Sequence, residues 1–141
     1  MNLKKFDKFV KSYPITKTSK TYSIKDENGK VMSSLDYYDY SKKNFDWILI
    51  ADVETKEKYR GMGLASKLVN ELYKDITQKS PDKGIYLLVR SDNTGAIKFY
   101  KKTGFTFVKK YEISNEDNQG IYDVMCRGKG DKQQLVDMNF G

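Results

Sequence analysis

The sequence has 141 residues, a formal charge of +7 and one cysteine, Cys126, but no histidine. This length predicts one domain over residues 1–141. A single cysteine excludes an internal disulfide and a cysteine-based zinc cluster. The sequence also lacks histidine, which is the commonest general base. No apolar run is long enough to cross a membrane, and we expect a cytoplasmic, metal-free protein with no membrane partner. The positive charge favours anionic partners, among which a nucleotide cofactor, nucleic acid and an anionic surface stay open.

Residues 1–18 are expected to form a short helix and a lead-in to the sheet. The helix would place four apolar residues on one side, Leu3, Phe6, Phe9 and Val10. Pro14 ends it, because the residue before a proline is pushed out of the helical region. We interpret this helix as the cover of one sheet edge rather than as a membrane anchor.

Two segments rich in β-forming residues, 21–24 and 31–35, flank a turn that contains Asn28 and Gly29. This dipeptide is typical of a tight hairpin. The second strand continues into the acidic and aromatic segment 36–40, and a further apolar run begins at Trp47. Together these segments predict a three-stranded antiparallel meander.

The stretch 47–72 joins a buried strand to a helix through a glycine-rich turn. After Gly61 and Gly63, apolar residues recur at helical spacing, namely Leu64, Leu68, Val69, Leu72 and Ile76. Residues 85–89 form a continuous apolar run, which is typical of a strand covered on both faces. Strand, helix and strand of these lengths predict a parallel βαβ unit with a right-handed crossover.

The last part of the chain predicts a helix and then a hairpin. Asn93 is a good helix cap, and Gly104 stands where a left-handed residue ends a helix. Segments 105–108 and 121–125 are rich in β-forming residues and are interpreted as the two hairpin strands. The polar, glycine-bearing end, 128–141, is expected to be loosely held.

The glycine-rich turn is a candidate anion site. Free backbone N–H groups at the start of a helix attract phosphate, and Gly61 and Gly63 would let it approach the backbone closely. The turn lacks the Gly-Lys-Ser/Thr end of a Walker A loop, and Ser66 stands where a dinucleotide fingerprint needs its third glycine. On glycine spacing alone, a tight turn that binds nothing is an equal alternative.

Two motifs in order favour a ligand. Arg60, Gly63 and Ala65 fit the pattern Arg/Gln-x-x-Gly-x-Gly/Ala, and segment 93–105 then supplies Asn…Ala…Phe-Tyr…Gly-Phe. Over roughly 47–107 the chain thereby resembles the GNAT superfamily of acyl-CoA N-acyltransferases. The resemblance implies an α+β (mixed α/β) fold. Its twisted mixed sheet would carry an antiparallel N-terminal meander, a central parallel strand pair that is joined by a helix and splayed at the carboxyl ends, and a C-terminal helix and hairpin.

The resemblance also implies acetyl-CoA as the acyl donor, bound between the splayed strands. Its pantetheine arm would run beside the first strand at Val53 and Thr55, and Asn93 matches a position that caps the helix or meets the cofactor. The diphosphate would rest on the turn formed by Arg60, Gly61, Met62, Gly63, Leu64 and Ala65. Tyr100 matches the tyrosine that protonates the departing thiolate, with a tyrosine packed under the helix as the alternative.

Acidic residues are the candidates for the general base and for part of the acceptor site. Without histidine, a carboxylate, directly or through water, or bulk solvent must take the proton of the amine. Glu54 is the first candidate and Asp52 the second, each against the alternative of a solvated surface acid. The segment 36–40 would either hold a cationic amine or keep an exposed strand face soluble.

The sequence therefore predicts an N-acetyltransferase that moves the acetyl group of acetyl-CoA to a primary amine of a small molecule or a protein. The amine would attack directly in a ternary complex. The alternative is a non-catalytic module on the same scaffold that binds nucleic acid or a protein partner, which the net charge and the lack of an obvious base favour. We expect a monomer or a homodimer.

Overall fold

The computed structural model describes residues 13–40, 44–115, 117 and 119–139. In this part of the chain seven strands form one mixed sheet in the order β1-β2-β3-β4-β5-β7-β6. The strands are β1 (Ile15–Lys17), β2 (Thr21–Lys25), β3 (Val31–Tyr38), β4 (Trp47–Thr55), β5 (Gly84–Arg90), β6 (Thr106–Ile113) and β7 (Gly120–Gly128). The helices are α1 (Leu64–Lys79), α2 (Thr94–Lys102) and α3 (Lys132–Val136), with a 3₁₀ helix at Glu57–Tyr59. This architecture confirms the predicted fold class.

The structure adds one strand to the predicted meander. β1 pairs antiparallel with β2, with Ile15 opposite Ile24 and Lys17 opposite Tyr22. A strand of three residues is too short to show a period in the sequence, which is why the prediction missed it. Most of the predicted N-terminal helix falls on residues 1–12, which lie outside the described residues, and it stays a prediction.

The chain divides into two compact units, Met1–Tyr38 with Ile50–Lys74 and Asp39–Leu49 with Asp75–Gly141. In the first unit, β2 and β3 form the predicted hairpin. Asp26 shapes its turn, because its Oδ1 accepts the amide of Lys30 at 2.9 Å and that of Asn28 at 2.8 Å. These hydrogen bonds hold the pKa of Asp26 below its usual value, and the one from Lys30 has the largest effect.

The helix of the first unit buries the apolar stripe that its sequence predicts. Its buried residues are Leu64, Leu68, Val69 and Leu72. Two contacts join its outer face to the start of the described chain. Lys17 Nζ lies 2.9 Å from Glu71 Oε1, and Lys67 Nζ donates to the carbonyl of Tyr13 at 2.6 Å.

In the second unit, β4 and β5 begin side by side and parallel, as predicted. Trp47 lies opposite Gly84 and Leu49 opposite Tyr86. A Cβ on Gly84 would lie 2.4 Å from the carbonyl oxygen of Arg127 and 2.6 Å from the Trp47 ring. Only glycine therefore lets β5 lie this close to both neighbours.

One buried cluster of the second unit contains Trp47, Tyr86, Cys126 and Leu135. Leu135 belongs to α3, in the part of the chain for which a loosely held end was expected. Trp47 Nε1 donates to the carbonyl of Asp131 at 2.8 Å, and the amide of Asp46 donates to Gln134 Oε1 at 2.9 Å. These contacts pack residues 131–138 against the sheet. Five helical residues carry too little periodicity for the sequence to have shown this.

Candidate active site

The glycine-rich turn follows β4 in the first unit. The 3₁₀ helix Glu57–Tyr59 ends with the amide of Arg60 donating to the carbonyl of Glu57 at 3.2 Å. Gly61 and Gly63 then have φ angles of 82° and 77°, in the left-handed region that glycine adopts without strain. A Cβ on either glycine would meet no atom of the described residues within 4 Å, so this part of the chain leaves the space beside both glycines open.

The backbone amides of this turn are available to a ligand. The first hydrogen bond of α1 joins the amide of Lys67 to the carbonyl of Gly63 at 3.0 Å. Among the described residues, no acceptor is found for the amides of 61–65. The first turn of α1 contains no acidic side chain either. The start of α1 therefore combines the positive end of the helix dipole with several N–H donors that have no acceptor among these residues, and this combination is typical of a phosphate site.

The basic residues around the turn have separate roles. Arg60 Nε donates to the carbonyl of Thr55 at 3.1 Å, so the predicted phosphate-side arginine is tied to the end of β4. Lys56 and Lys58, which the sequence placed only near the turn, line a cavity of about 350 Å³. Its other lining residues come mostly from the hairpin and are Asp26, Lys30, Val31 and Tyr59. Sequence spacing could not show this cavity, because the hairpin and the turn are distant in the chain.

The carboxyl half of β4 carries the predicted pantetheine and base positions. Val53 and Thr55 are half-buried, whereas Asp52 and Glu54 are exposed. Thr55 Oγ1 lies 2.8 Å from Ser33 Oγ, which also donates to the carbonyl of Glu54 at 3.0 Å. Glu54 Oε1 lies 3.3 Å from Lys56 Nζ, and both side chains are 56% exposed. An exposed ion pair of this kind leaves the carboxylate accessible to solvent.

The second unit carries the predicted residues of α2. Asn93 Oδ1 accepts the amide of Ala96 at 3.1 Å, which is the helix-capping role left open by the sequence. Tyr100 is half-buried, and its ring makes edge contacts with Phe99 and Phe105 at centroid distances of 5.2 Å and 5.4 Å. The helix ends at Gly104, whose φ is 92°, as the sequence predicts.

Two residues of the acidic and aromatic segment 36–40 make hydrogen bonds within the fold. Thr21 Oγ1 donates to Asp36 Oδ1 at 2.8 Å, and the Tyr37 hydroxyl donates to the carbonyl of Thr18 at 2.9 Å. Tyr38 and Tyr40 remain exposed. Asp36 and Tyr37 therefore help to hold β3 in place, a role that the sequence did not predict for either residue.

The described residues contain neither a metal-binding cluster nor a membrane-spanning helix. No cluster of three or more cysteine or carboxylate side chains in the described ranges could hold a metal ion. Within the same part of the chain, no helix is long and apolar enough to cross a membrane.

Comparison with known proteins identifies the family. The model of the acetyltransferase (GNAT) family matches residues 5–105, which is more than half of the chain. The chain belongs to the GNAT family. The matched range contains the glycine-rich turn, both motifs and Tyr100, so the family's signature falls on the site described above.

Individual GNAT relatives match in part. Histone acetyltransferase MCC1 of Arabidopsis thaliana is 34% identical over 79 residues, which are 56% of this chain and 32% of that protein. Spermine/spermidine N(1)-acetyltransferase of Bacillus subtilis (strain 168) is 32% identical over 60 residues, 43% of this chain and 40% of that protein. The matches therefore span well under half the length of both relatives.

Among solved structures, Arabidopsis thaliana Naa50 in complex with the bisubstrate analogue CoA-Ac-MVNAL superposes with a TM-score of 0.64. It is 26% identical, over 77% of this chain and 72% of that chain. Together with the strand order, this similarity supports assignment of the whole described sheet to the GNAT fold.

Proposed function

We propose that the protein is an acetyl-CoA-dependent N-acetyltransferase that acts on a primary amine. The observation that carries the proposal is the row of amides at 61–65, which follows β4, leads into α1 and has no acceptor within the described part of the chain. Membership of the GNAT family and the CoA-linked analogue bound by Naa50 support acetyl-CoA as the ligand.

The first unit would bind the coenzyme. Its diphosphate fits the turn because Gly61 and Gly63 leave open space above donors that have no other acceptor in the described chain. Arg60 would add positive charge while its Nε stays bound to the carbonyl of Thr55. The backbone beside Val53 and Thr55 would pair with the amides of the pantetheine arm, as an added strand does.

The chemical step needs a proton donor and a proton acceptor. Acetyl-CoA supplies a thioester carbonyl, which the free amine attacks in a ternary complex, and the C–S bond then breaks. Tyr100 would give its hydroxyl proton to the departing thiolate. It would be reprotonated, directly or through water, by the second proton, which the nitrogen loses after its attack. Glu54, or else Asp52, would take the proton that the acceptor ammonium must lose, directly or through water. Both carboxylates are solvent-exposed, so such a base would exchange its proton readily with water.

The relatives support a primary amine as the class of acceptor. The names of the relatives include a histone and the polyamines spermine and spermidine, and the Naa50 analogue joins CoA to a peptide. All are compatible with a primary amine acceptor, which would attack the thioester without a covalent acyl-enzyme. Cys126 is fully buried in the core, and this burial raises the pKa of its thiol, both of which argue against a thiol nucleophile.

Two measurements test this function together. In differential scanning calorimetry, acetyl-CoA should raise the melting temperature of the protein in proportion to the logarithm of the ligand concentration. A thiol-release assay over a panel of amines, amino acids and peptides should then identify an accepted amine. No stabilisation at millimolar acetyl-CoA, combined with steeply salt-dependent binding to DNA or RNA, would support the non-catalytic alternative instead.

A further inference from the structure

Three side chains lie in a row across the carboxyl end of β5, in the second unit. Arg90 is the last residue of β5 and lies opposite Tyr122 of β7, which lies opposite Tyr111 of β6. Residues directly opposite each other on paired strands point to the same face of the sheet. The Arg90 guanidinium carbon lies 5.6 Å from the centroid of the Tyr122 ring, so the cation rests over the aromatic face.

The Arg90 guanidinium is held in place by its surroundings. Its Nη1 donates to the carbonyl of Gln119 at 3.2 Å, and its Nε lies 3.6 Å from Asp92 Oδ1. Gly120 has a φ of 150°, and a Cβ there would lie 2.8 Å from Arg90 Nη2. The chain therefore has glycine at the point where the guanidinium passes closest to the backbone.

This arginine nevertheless keeps binding capacity. Its side chain is 49% exposed, and no acceptor for Nη2 is found among the described residues. Asp92 is 81% exposed, and so open an ion pair competes weakly with a ligand. A planar, positioned guanidinium whose Nη2 has no acceptor in this part of the chain matches the geometry of a carboxylate. Ligands of open sheets bind outside the carboxyl ends of the strands, which is where Arg90 lies.

We propose that Arg90 binds the carboxylate of the acceptor, so that the preferred substrates are primary amines that also carry a carboxylate, such as amino acids. This inference rests on the proposed acetyltransferase function. Tyr122 and Tyr111 would provide the aromatic surface beside that carboxylate. The positive charge of the whole chain, +7, would also steer anionic groups toward the protein.

Matched substrate pairs test the proposal, because lysine and cadaverine, or ornithine and putrescine, differ only in the carboxylate. We expect kcat/KM to be at least about tenfold higher for the carboxylated member, as the loss of one charged hydrogen bond implies. Arg90→Met should lower kcat/KM for lysine about ten- to hundredfold more than for cadaverine, mainly through KM. Arg90→Lys should restore part of the difference.

Lys129→Met is the control. Lys129 is exposed beside Gly128, which pairs with Gly84 at the opposite end of β5, so this variant removes one positive charge far along the strand. It should leave both substrates of a pair unchanged. The melting temperature of each variant separates loss of recognition from loss of the fold.

Several outcomes would overturn the inference while leaving the acetyltransferase function intact. They are a preference for polyamines over amino acids, equal losses for both members of a pair in Arg90→Met, or acetyl-CoA binding without turnover of any carboxylated amine. The failure of acetyl-CoA itself to bind would instead overturn the proposed function. A purely structural role for Arg90 would lower the melting temperature and leave the ratio of kcat/KM values between lysine and cadaverine as it is in the unaltered protein.

Discussion

The amide of Lys67 donates to the carbonyl of Gly63 at 3.0 Å, so the residue that caps the start of α1 is a glycine with a φ of 77°. Most helices begin on a side chain that caps the first amides. Here the position is a glycine, which has no side chain, and residues 13–40, 44–115, 117 and 119–139 contain no other acceptor for the amides of 61–65. In the proposed function, the diphosphate of acetyl-CoA would accept from these amides instead.

Gly63→Ala should therefore destabilise the protein and weaken acetyl-CoA binding. A Cβ at this position meets none of the described atoms within 4 Å, but a left-handed φ costs an alanine roughly 1–2 kcal/mol. Urea denaturation gives the free energy of unfolding, and calorimetry gives the dissociation constant. The matched control is Gly95→Ala inside α2, where a Cβ comes no closer than 4.0 Å to any neighbour and about 0.5–1 kcal/mol should be gained. Equal effects at both glycines would contradict the account of the turn.

Leu135→Ala should show whether α3 is part of the core. Leu135 is fully buried, and removal of a buried leucine side chain costs roughly 2–5 kcal/mol. Its neighbour Val136 is 42% exposed, so Val136→Ala should change the free energy of unfolding by less than about 0.5 kcal/mol. Chemical denaturation of the two variants measures both values. If Leu135→Ala is as mild as Val136→Ala, the chain end is not packed on the sheet.

Stability should fall in alkali because of Tyr86. Burial raises the pKa of this phenol from 10.0 to about 12. The unfolded chain thus loses the proton first, and the stabilisation present below pH 10 is lost as pH rises toward 12, by roughly 2–3 kcal/mol. Because lysines titrate in the same range, the comparison is with Tyr86→Phe. The variant should lose less stability between pH 10 and 12, and identical pH profiles would contradict the role of Tyr86.

Tyr100→Phe should slow turnover and leave the affinity for acetyl-CoA nearly intact. The phenol hydroxyl is the proposed proton donor, whereas the ring contacts with Phe99 and Phe105 remain in the variant. A loss of kcat of about a hundredfold or more is expected for a general acid. Steady-state kinetics and calorimetry separate the two effects. Unchanged turnover would remove Tyr100 from the mechanism.

Much of the fold could be predicted from local patterns. The hairpin turn at Asn28 and Gly29, the stripe of α1, the cap at Asn93 and the stop at Gly104 each depend on nearby residues, and the structure has all four. The parallel start of β4 and β5 also follows from element order. The splay of their carboxyl ends stays a prediction.

The features that the sequence missed depend on contacts between distant segments. The lysine-lined cavity is lined by residues of both the β2–β3 hairpin and the 3₁₀ helix. The row of Arg90, Tyr122 and Tyr111 depends on the register of three paired strands. The packing of Leu135 similarly needs Trp47, which lies far away in the chain. A strand period gives the face of a side chain but not its cross-strand neighbour, so such clusters appear only once the register is known.

The most direct test of the coenzyme site is an NMR titration of the ¹⁵N-labelled protein with acetyl-CoA. Our account predicts saturable binding, with the largest shifts at the backbone amides of 61–65, because their N–H groups would gain the diphosphate as acceptor. In Gly63→Ala these shifts should shrink and need more ligand. Absence of saturation at millimolar acetyl-CoA, or saturation that leaves those amides unmoved, would contradict the central claim.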